Sequence, residues 1–175
     1  SFSLTGYSGG GKKMIAQYEA EGRDKSLDAP REYGLNQQHK HLKEMTLITG
    51  LSRKPVFTPI VADYYSGMIV SVPLDSGLLK RSLSPEEMRD FFAGYYKGEK
   101  FLKVAPFGSE AESSGFLSGN AASGWDGMEI FVTGSDEGRL LLSARFDNLG
   151  KGASGAAVQS LNIMMGCPED TGLCL

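Results

Sequence analysis

Cysteine is nearly absent from this chain: there are two, Cys167 and Cys174, both within the last nine residues. They lack C-x-x-C spacing and no secretory context accompanies them. A disulfide framework is therefore not expected, and a reducing, cytoplasmic setting is. Histidine is as scarce, with only His39 and His41. An excess of one charge is missing too: 18 Lys and Arg face 21 Asp and Glu, for a net charge of -3. That balance gives no electrostatic reason to expect nucleic acid or an anionic membrane as partner. No apolar run approaches the roughly 18 residues that a membrane span needs, and no basic segment followed by an apolar stretch opens the chain.

What is present is ordinary for a globular chain of 175 residues, with 41% hydrophobic and 22% charged residues. The length suits one domain with a real core. Phe2 to Thr5 alternates and runs into glycine, which predicts a strand and a glycine-rich turn. Helices are expected at Lys12 to Glu21 and His41 to Thr49, with a polar, exposed excursion over 22–38 between them. Val56 to Val61, Met68 to Leu74 and Phe101 to Ala105 read as strands. Gly127 to Thr133 and Arg139 to Phe146 read as a hairpin closed by G-S-D-E-G. Ser84-Pro85-Glu86-Glu87 is a helix start with a capping box. Behind it Met88, Phe91, Phe92, Tyr95 and Tyr96 repeat at helical spacing, a stripe expected to pack in the core. Residues 108–124 are rich in Gly, Ser, Ala and Asn and predict a mobile loop. Ala153 to Met165 predicts a last helix, stopped by Gly166 and Pro168. About four helices and five or six strands result: an α+β fold with a mixed, mostly antiparallel sheet.

Three stretches could carry chemistry. In G-Y-S-G-G-G-K-K (6–13), Ser8 to Gly11 and Lys12 lie between a strand and a helix, as an anion-cradling loop would. A nucleoside-triphosphate loop would need Ser or Thr where Lys13 stands. On local pattern alone the segment reads somewhat better as a glycine-rich turn with a solvated lysine pair. In Q-H-K-H-L-K-E (38–44), the two histidines have no third ligand at metal-site spacing. Glu44 could orient an imidazole as a general acid or base, and a solvated surface tract is the equal alternative. In D-N-L-G-K-G-A-S-G-A-A-V-Q (147–159), glycines and a lysine between strand and helix imply a close backbone approach. A tight strand-to-helix connection explains the alanines as well.

Taken in order, the three stretches resemble the N-acetyl-gamma-glutamyl-phosphate reductase family. The resemblance spans nearly the whole chain, and the third motif is the specific one. It implies an α+β domain with helices on one face, similar to the C-terminal domain of glyceraldehyde-phosphate and aspartate-semialdehyde dehydrogenases. It implies NADP(H), a small acyl-phosphate substrate, a cysteine thioacyl intermediate and a homo-oligomer built through the sheet domain. Residues 1–150 would form the substrate-binding and dimerisation domain. Residues 151–175 would pack on an NADP-binding domain.

The family's N-P-G-C nucleophile segment and its G-x-G-x-x-G dinucleotide opening have no counterpart here. The chain is therefore expected to be a piece of a longer protein and inert alone, with NADP(H) bound mainly by the missing domain. By resemblance, His39 would be the acid/base, with Glu44 beside it. Tyr33, His41, Ser8, Gly9 and Lys12 would meet substrate. Gly10, Gly11, Asn148, Lys151 and Gly152 would approach the cofactor. A P-loop-like nucleotide binder or a non-catalytic interaction domain is the alternative.

Overall fold

A computed structural model describes residues 1–109, 114–135 and 137–175. Seven strands form one sheet: β1 (Phe2–Gly6), β2 (Arg31–Glu32), β3 (Thr58–Ala62), β4 (Met68–Asp75), β5 (Leu102–Val104), β6 (Met128–Gly134) and β7 (Arg139–Phe146). Their order is β2-β3-β1-β4-β7-β6-β5. The β1–β3 and β5–β6 pairs are parallel and the other four antiparallel, so the sheet is mixed and mostly antiparallel, as expected. Among the described residues the α-helices are α1 (Gly11–Glu19), α2 (His41–Thr49), α3 (Pro85–Tyr95) and α4 (Gly155–Met165).

The register shows which sheet face α1 and α3 cover. Val61 pairs with Thr5, Thr5 with Met68, Met68 with Phe146 and Phe146 with Met128. Partners in register share a face, and alternate residues along a strand share it too. Val61, Leu140 and Val132 therefore point the same way. Val61 packs with Tyr18 of α1, and Leu140 and Val132 pack with Met88 of α3. On the opposite face Phe2, Leu4, Ile69, Ser71, Leu141 and Ser143 border a shallow cavity of about 430 Å³.

The α3 capping box forms as its sequence predicts. Ser84 Oγ accepts from the Glu87 N–H at 3.1 Å, and Glu87 Oε2 accepts from the Ser84 N–H at 2.9 Å. Such a cap contributes about 1 kcal/mol. The aromatic stripe behind it corrects our expectation. Met88 is buried and Phe92 packs on its cluster, but Phe91 and Tyr95 are 59% and 72% exposed. Met88, Phe92 and Tyr96 form one i, i+4, i+8 ridge; Phe91 and Tyr95 form the next, turned about 60° away at 100° per residue. Of the first ridge Met88 is buried and Phe92 and Tyr96 are half-buried, whereas the second pair stays exposed and stacks on itself with centroids 6.3 Å apart.

The expected mobile loop at 108–124 partly lies outside the described residues, at 110–113. Its second half is tied down. Ala122 is buried, Ser123 Oγ donates to the Ser66 carbonyl at 2.6 Å, and the Gly124 N–H donates to Asp147 Oδ2 at 2.6 Å. Asp136 of the expected hairpin turn is also outside the described residues, but its flanks close: the Ser135 N–H donates to the Arg139 carbonyl at 2.9 Å.

Candidate active site

The glycine loop leaves the C-terminal end of β1. A Cβ on Gly6 would meet the carbonyl oxygens of Tyr64 and Tyr65 at 2.5–2.6 Å, so only glycine lets the two backbones approach this closely. The N–H groups of Gly6, Tyr7 and Ser8 donate to the carbonyls of Gly67, Tyr64 and Tyr65 at 2.9–3.1 Å. Gly11 adopts φ +71°, a left-handed conformation suited to glycine, and its N–H donates to the Ser8 carbonyl. Of the four amides expected to face an anion, those of Ser8 and Gly11 are thus committed inside the protein. Lys12 is exposed on the first turn of α1, and Gly9 and Gly10 precede it on the surface.

Asn148 joins this loop to the β3–β4 turn. Its Nδ2 donates to Ser8 Oγ at 3.0 Å, and its Oδ1 accepts from the Gly67 N–H at 2.7 Å. The structure therefore brings the first and third motifs together at Ser8, Gly9 and Asn148. Lys151 turns elsewhere: its ammonium donates to Gln159 Oε1 at 2.7 Å and lies 4.9 Å from the centroid of the Phe101 ring. Burial pushes its pKa down, while Glu169 and Asp126 push it up. Gly152 closes the turn before α4, with its N–H donating to the Asp147 carbonyl at 2.8 Å.

The histidine segment gathers at the start of β3. The His39 ring lies 5.7 Å from Tyr33, 4.7 Å from His41 and 5.2 Å from Phe57. The His41 N–H, at the first turn of α2, donates to His39 Nδ1 at 3.3 Å. With Nδ1 accepting, the neutral ring carries its proton on Nε2. Burial first, then His41 and Lys40, push His39 below the ordinary histidine value, which favours this neutral form at pH 7. Burial likewise pushes the Tyr33 phenol up. Glu44 is exposed one turn into α2, and no hydrogen bond joins it to either imidazole among the described residues. Beside His39 opens a cavity of about 490 Å³, bordered also by Gln38, Lys40, Lys43 and Lys54.

The two clusters occupy opposite ends of one strand pair. Phe57, beside His39, precedes the Phe2↔Thr58 pair, whereas Ser8 follows the Gly6↔Ala62 pair. Five residues of strand separate these levels, roughly 16 Å at 3.3 Å per residue.

Three kinds of residue escaped the sequence reading. Gln37, at φ 54°, clasps the start of β3: its side-chain amide donates to the Phe57 carbonyl and accepts from the Phe57 N–H, both at 3.0 Å. Asp147, 4% exposed, accepts from the Gly124 and Leu149 N–H groups. The D-N-L motif contains it, but motif spacing does not reveal an inward carboxylate. Lys43 and Lys54 are visible as charges, but only the fold sets them beside His39.

Sheet, helix layer and site elements define a semialdehyde-dehydrogenase type of domain. Residues 1–148 match the family model described as semialdehyde dehydrogenase, dimerisation domain, and the chain belongs to that family. N-acetyl-gamma-glutamyl-phosphate reductase 2 of Nostoc sp. is 46% identical over 178 residues, covering 98% of this chain and 55% of that protein. N-acetyl-gamma-glutamyl-phosphate reductase of Brucella anthropi is 41% identical over 166 residues, covering 94% of this chain and 53% of that protein. The chain thus spans about half the length of these relatives, and their names agree with the resemblance drawn from the motifs. Aspartate semialdehyde dehydrogenase II of Vibrio cholerae, solved in complex with ASA, aligns with a TM-score of 0.61 over 94% of this chain and 54% of that one. At 16% identity that likeness shows the fold alone. Among the described residues no helix is long and apolar enough to cross a membrane, and no group of three or more His, Cys, Asp or Glu could hold a metal ion.

Proposed function

We propose that this chain is the substrate-binding and dimerisation part of an NADPH-dependent reductase that converts N-acetyl-glutamyl 5-phosphate to the 5-semialdehyde. The observation that carries the reading is the 41–46% identity to relatives bearing that name along almost the whole chain. In the proposed reaction a cysteine thiolate of the complete protein displaces phosphate from the acyl carbon. Hydride adds to the thioacyl carbon to give a thiohemiacetal oxyanion, and its collapse breaks the C–S bond, releasing the semialdehyde and the thiolate. The residues described here do not fit the dinucleotide: no glycine fingerprint follows a strand into a helix, and the amides of residues 6–8 already have internal partners. We assign NADP(H) binding to the rest of the complete protein.

His39 is the proposed acid/base. With Nδ1 held by the helix N–H, the neutral ring presents its Nε2–H as a hydrogen bond to the oxyanion that hydride addition creates; where a proton is transferred instead, imidazolium gives it and the same neutral ring remains. Tyr33 and His41 flank it as proposed substrate contacts, and Glu44, one turn into α2, is the proposed carboxylate neighbour of the segment. Ser8, Gly9 and Lys12, with Gly10, Gly11 and Asn148, form the proposed second contact region at the other end of β1; Lys151 and Gly152, expected there as well, are instead engaged with Gln159 and Asp147. The exposed Leu161, Ile163, Met164 and Met165 of α4 would pack on the NADP-binding domain, and the open sheet face around Leu4 and Leu141 would meet a second copy. The test is NADPH oxidation by the full-length native protein with N-acetyl-glutamyl 5-phosphate, with the semialdehyde as product. No turnover would overturn the reading. Leu141→Arg should shift sedimentation from dimer to monomer.

A further inference from the structure

Three lysines, Lys40, Lys43 and Lys54, border the cavity beside His39 together with Gln38, and no carboxylate does. Among the described residues none of the three is in an ion pair. The chain's net charge is -3, so this is a local concentration and not a general excess. Ammonium groups gathered around a concavity repel one another, and a bound anion relieves that repulsion. The positive end of the α2 dipole lies at the same rim, because Lys40 is the residue that caps the helix. Glu44, four residues after Lys40, is the nearby carboxylate on α2, and it does not border the cavity.

We propose that this basic bowl is an oxyanion subsite that seats a phosphoryl or carboxylate group of the substrate beside the Nε2 proton of His39; the proposal rests on the reductase reading above. Lys43 comes from the first turn of α2 and Lys54 from the segment leading into β3, so the two converge on the bowl from different parts of the chain. Both are flexible point charges, suited to a group that arrives as one anion and leaves as another. Gln38 adds an amide donor at the rim. The bowl is open to solvent, as a subsite loaded from solution requires.

The test uses the full-length native protein. K43Q and K54Q should each raise KM for the acyl phosphate about tenfold, the usual scale for one charge-assisted contact, with kcat falling less. K80Q, an exposed lysine beyond β4, should leave both parameters unchanged. Independently, inorganic phosphate and N-acetylglutamate are titrated separately while the His39 imidazole resonance is followed. Movement with phosphate assigns the bowl to the phosphoryl group, and movement with N-acetylglutamate alone assigns it to the carboxylate. Either supports the subsite if K43Q/K54Q abolishes the response. An unchanged KM in the double variant, or a double variant that responds to both anions as the wild type does, overturns it. If the wild type shows no reductase activity, the reductase reading falls and the titrations alone decide the subsite.

Discussion

The two ends of the β1–β3 pair carry comparable polar content and treat it in opposite ways. At the Ser8 end, side chains and backbone satisfy one another: Asn148 bridges Ser8 and Gly67, and the buried Asp147 accepts from two backbone N–H groups. At the His39 end, one imidazole nitrogen is held and the neighbouring lysines have no ionic partner among the described residues. Buried polar groups that pair internally hold a fold together, whereas unpaired charge around a cavity is available to a ligand. The glycine motif that first suggests phosphate binding is thus the better-locked end. The histidine tract, read from sequence equally as an acid/base site and as a solvated surface, is the end whose lysines have no ionic partner among the described residues.

Substitutions can break this contrast. The largest expected effect is on turnover: His39→Ala in the full-length protein should lower kcat by roughly 10²–10⁴-fold, the scale of a lost general acid. Unchanged turnover would move the proton to His41 or elsewhere. At the opposite end the expected loss is stability. Asp147→Ala removes a buried carboxylate and its two charge-assisted bonds to the Gly124 and Leu149 N–H groups, and should cost about 3 kcal/mol in urea unfolding, more than any lysine substitution in the bowl. A cost near zero would mean that the D-N-L segment is not a structural clamp. Asn148→Ala should cost less, about 1–2 kcal/mol, because the bonds it loses are made by a neutral, half-buried amide rather than by a buried carboxylate.

Protonation of His39 sharpens the comparison further. Its pKa is lower folded than unfolded, so between the two values the unfolded chain binds more protons and stability rises with pH. The His39 contribution is complete above about 6.5, the ordinary histidine value, and is lost progressively as pH falls below it. His39→Gln should flatten that part of the pH–stability curve, and a curve identical to the wild type would refute the assignment. The smallest expected effect is on α3: Phe91→Ser and Tyr95→Ser should each change monomer stability by less than ~0.5 kcal/mol, since neither ring is buried.

Much of the architecture was legible before the fold was seen. β7 and α2 run between the predicted residues, and α3 starts at its predicted cap, because alternation, glycine stops and capping boxes are local signals. β2 was not legible. Arg31 and Glu32 form a strand only because Val61 and Ile60 lie opposite, and two residues carry no period. The aromatic stripe shows the same limit, since periodicity describes a helix face but not how much of it a sheet will cover. The site was legible in part. The H-K-H segment drew attention to His39, and D-N-L-G-K-G placed Asn148 in play. Lys151 was read beside Asn148 from the same motif, yet its ammonium settles on Phe101 and Gln159.

The sequence by itself determined the family resemblance, the mixed α+β layout and the identity of the two histidines, because these depend on residue order and short-range pattern. Only the tertiary structure decided that the amides of Gly6, Tyr7 and Ser8 are taken up by residues 64–67. It also decided that Lys43 and Lys54 converge beside His39, and that the two candidate regions stand at opposite ends of one strand pair. Those outcomes depend on which distant segments become neighbours, and strand pairing and close packing select the neighbours only when the whole sheet assembles.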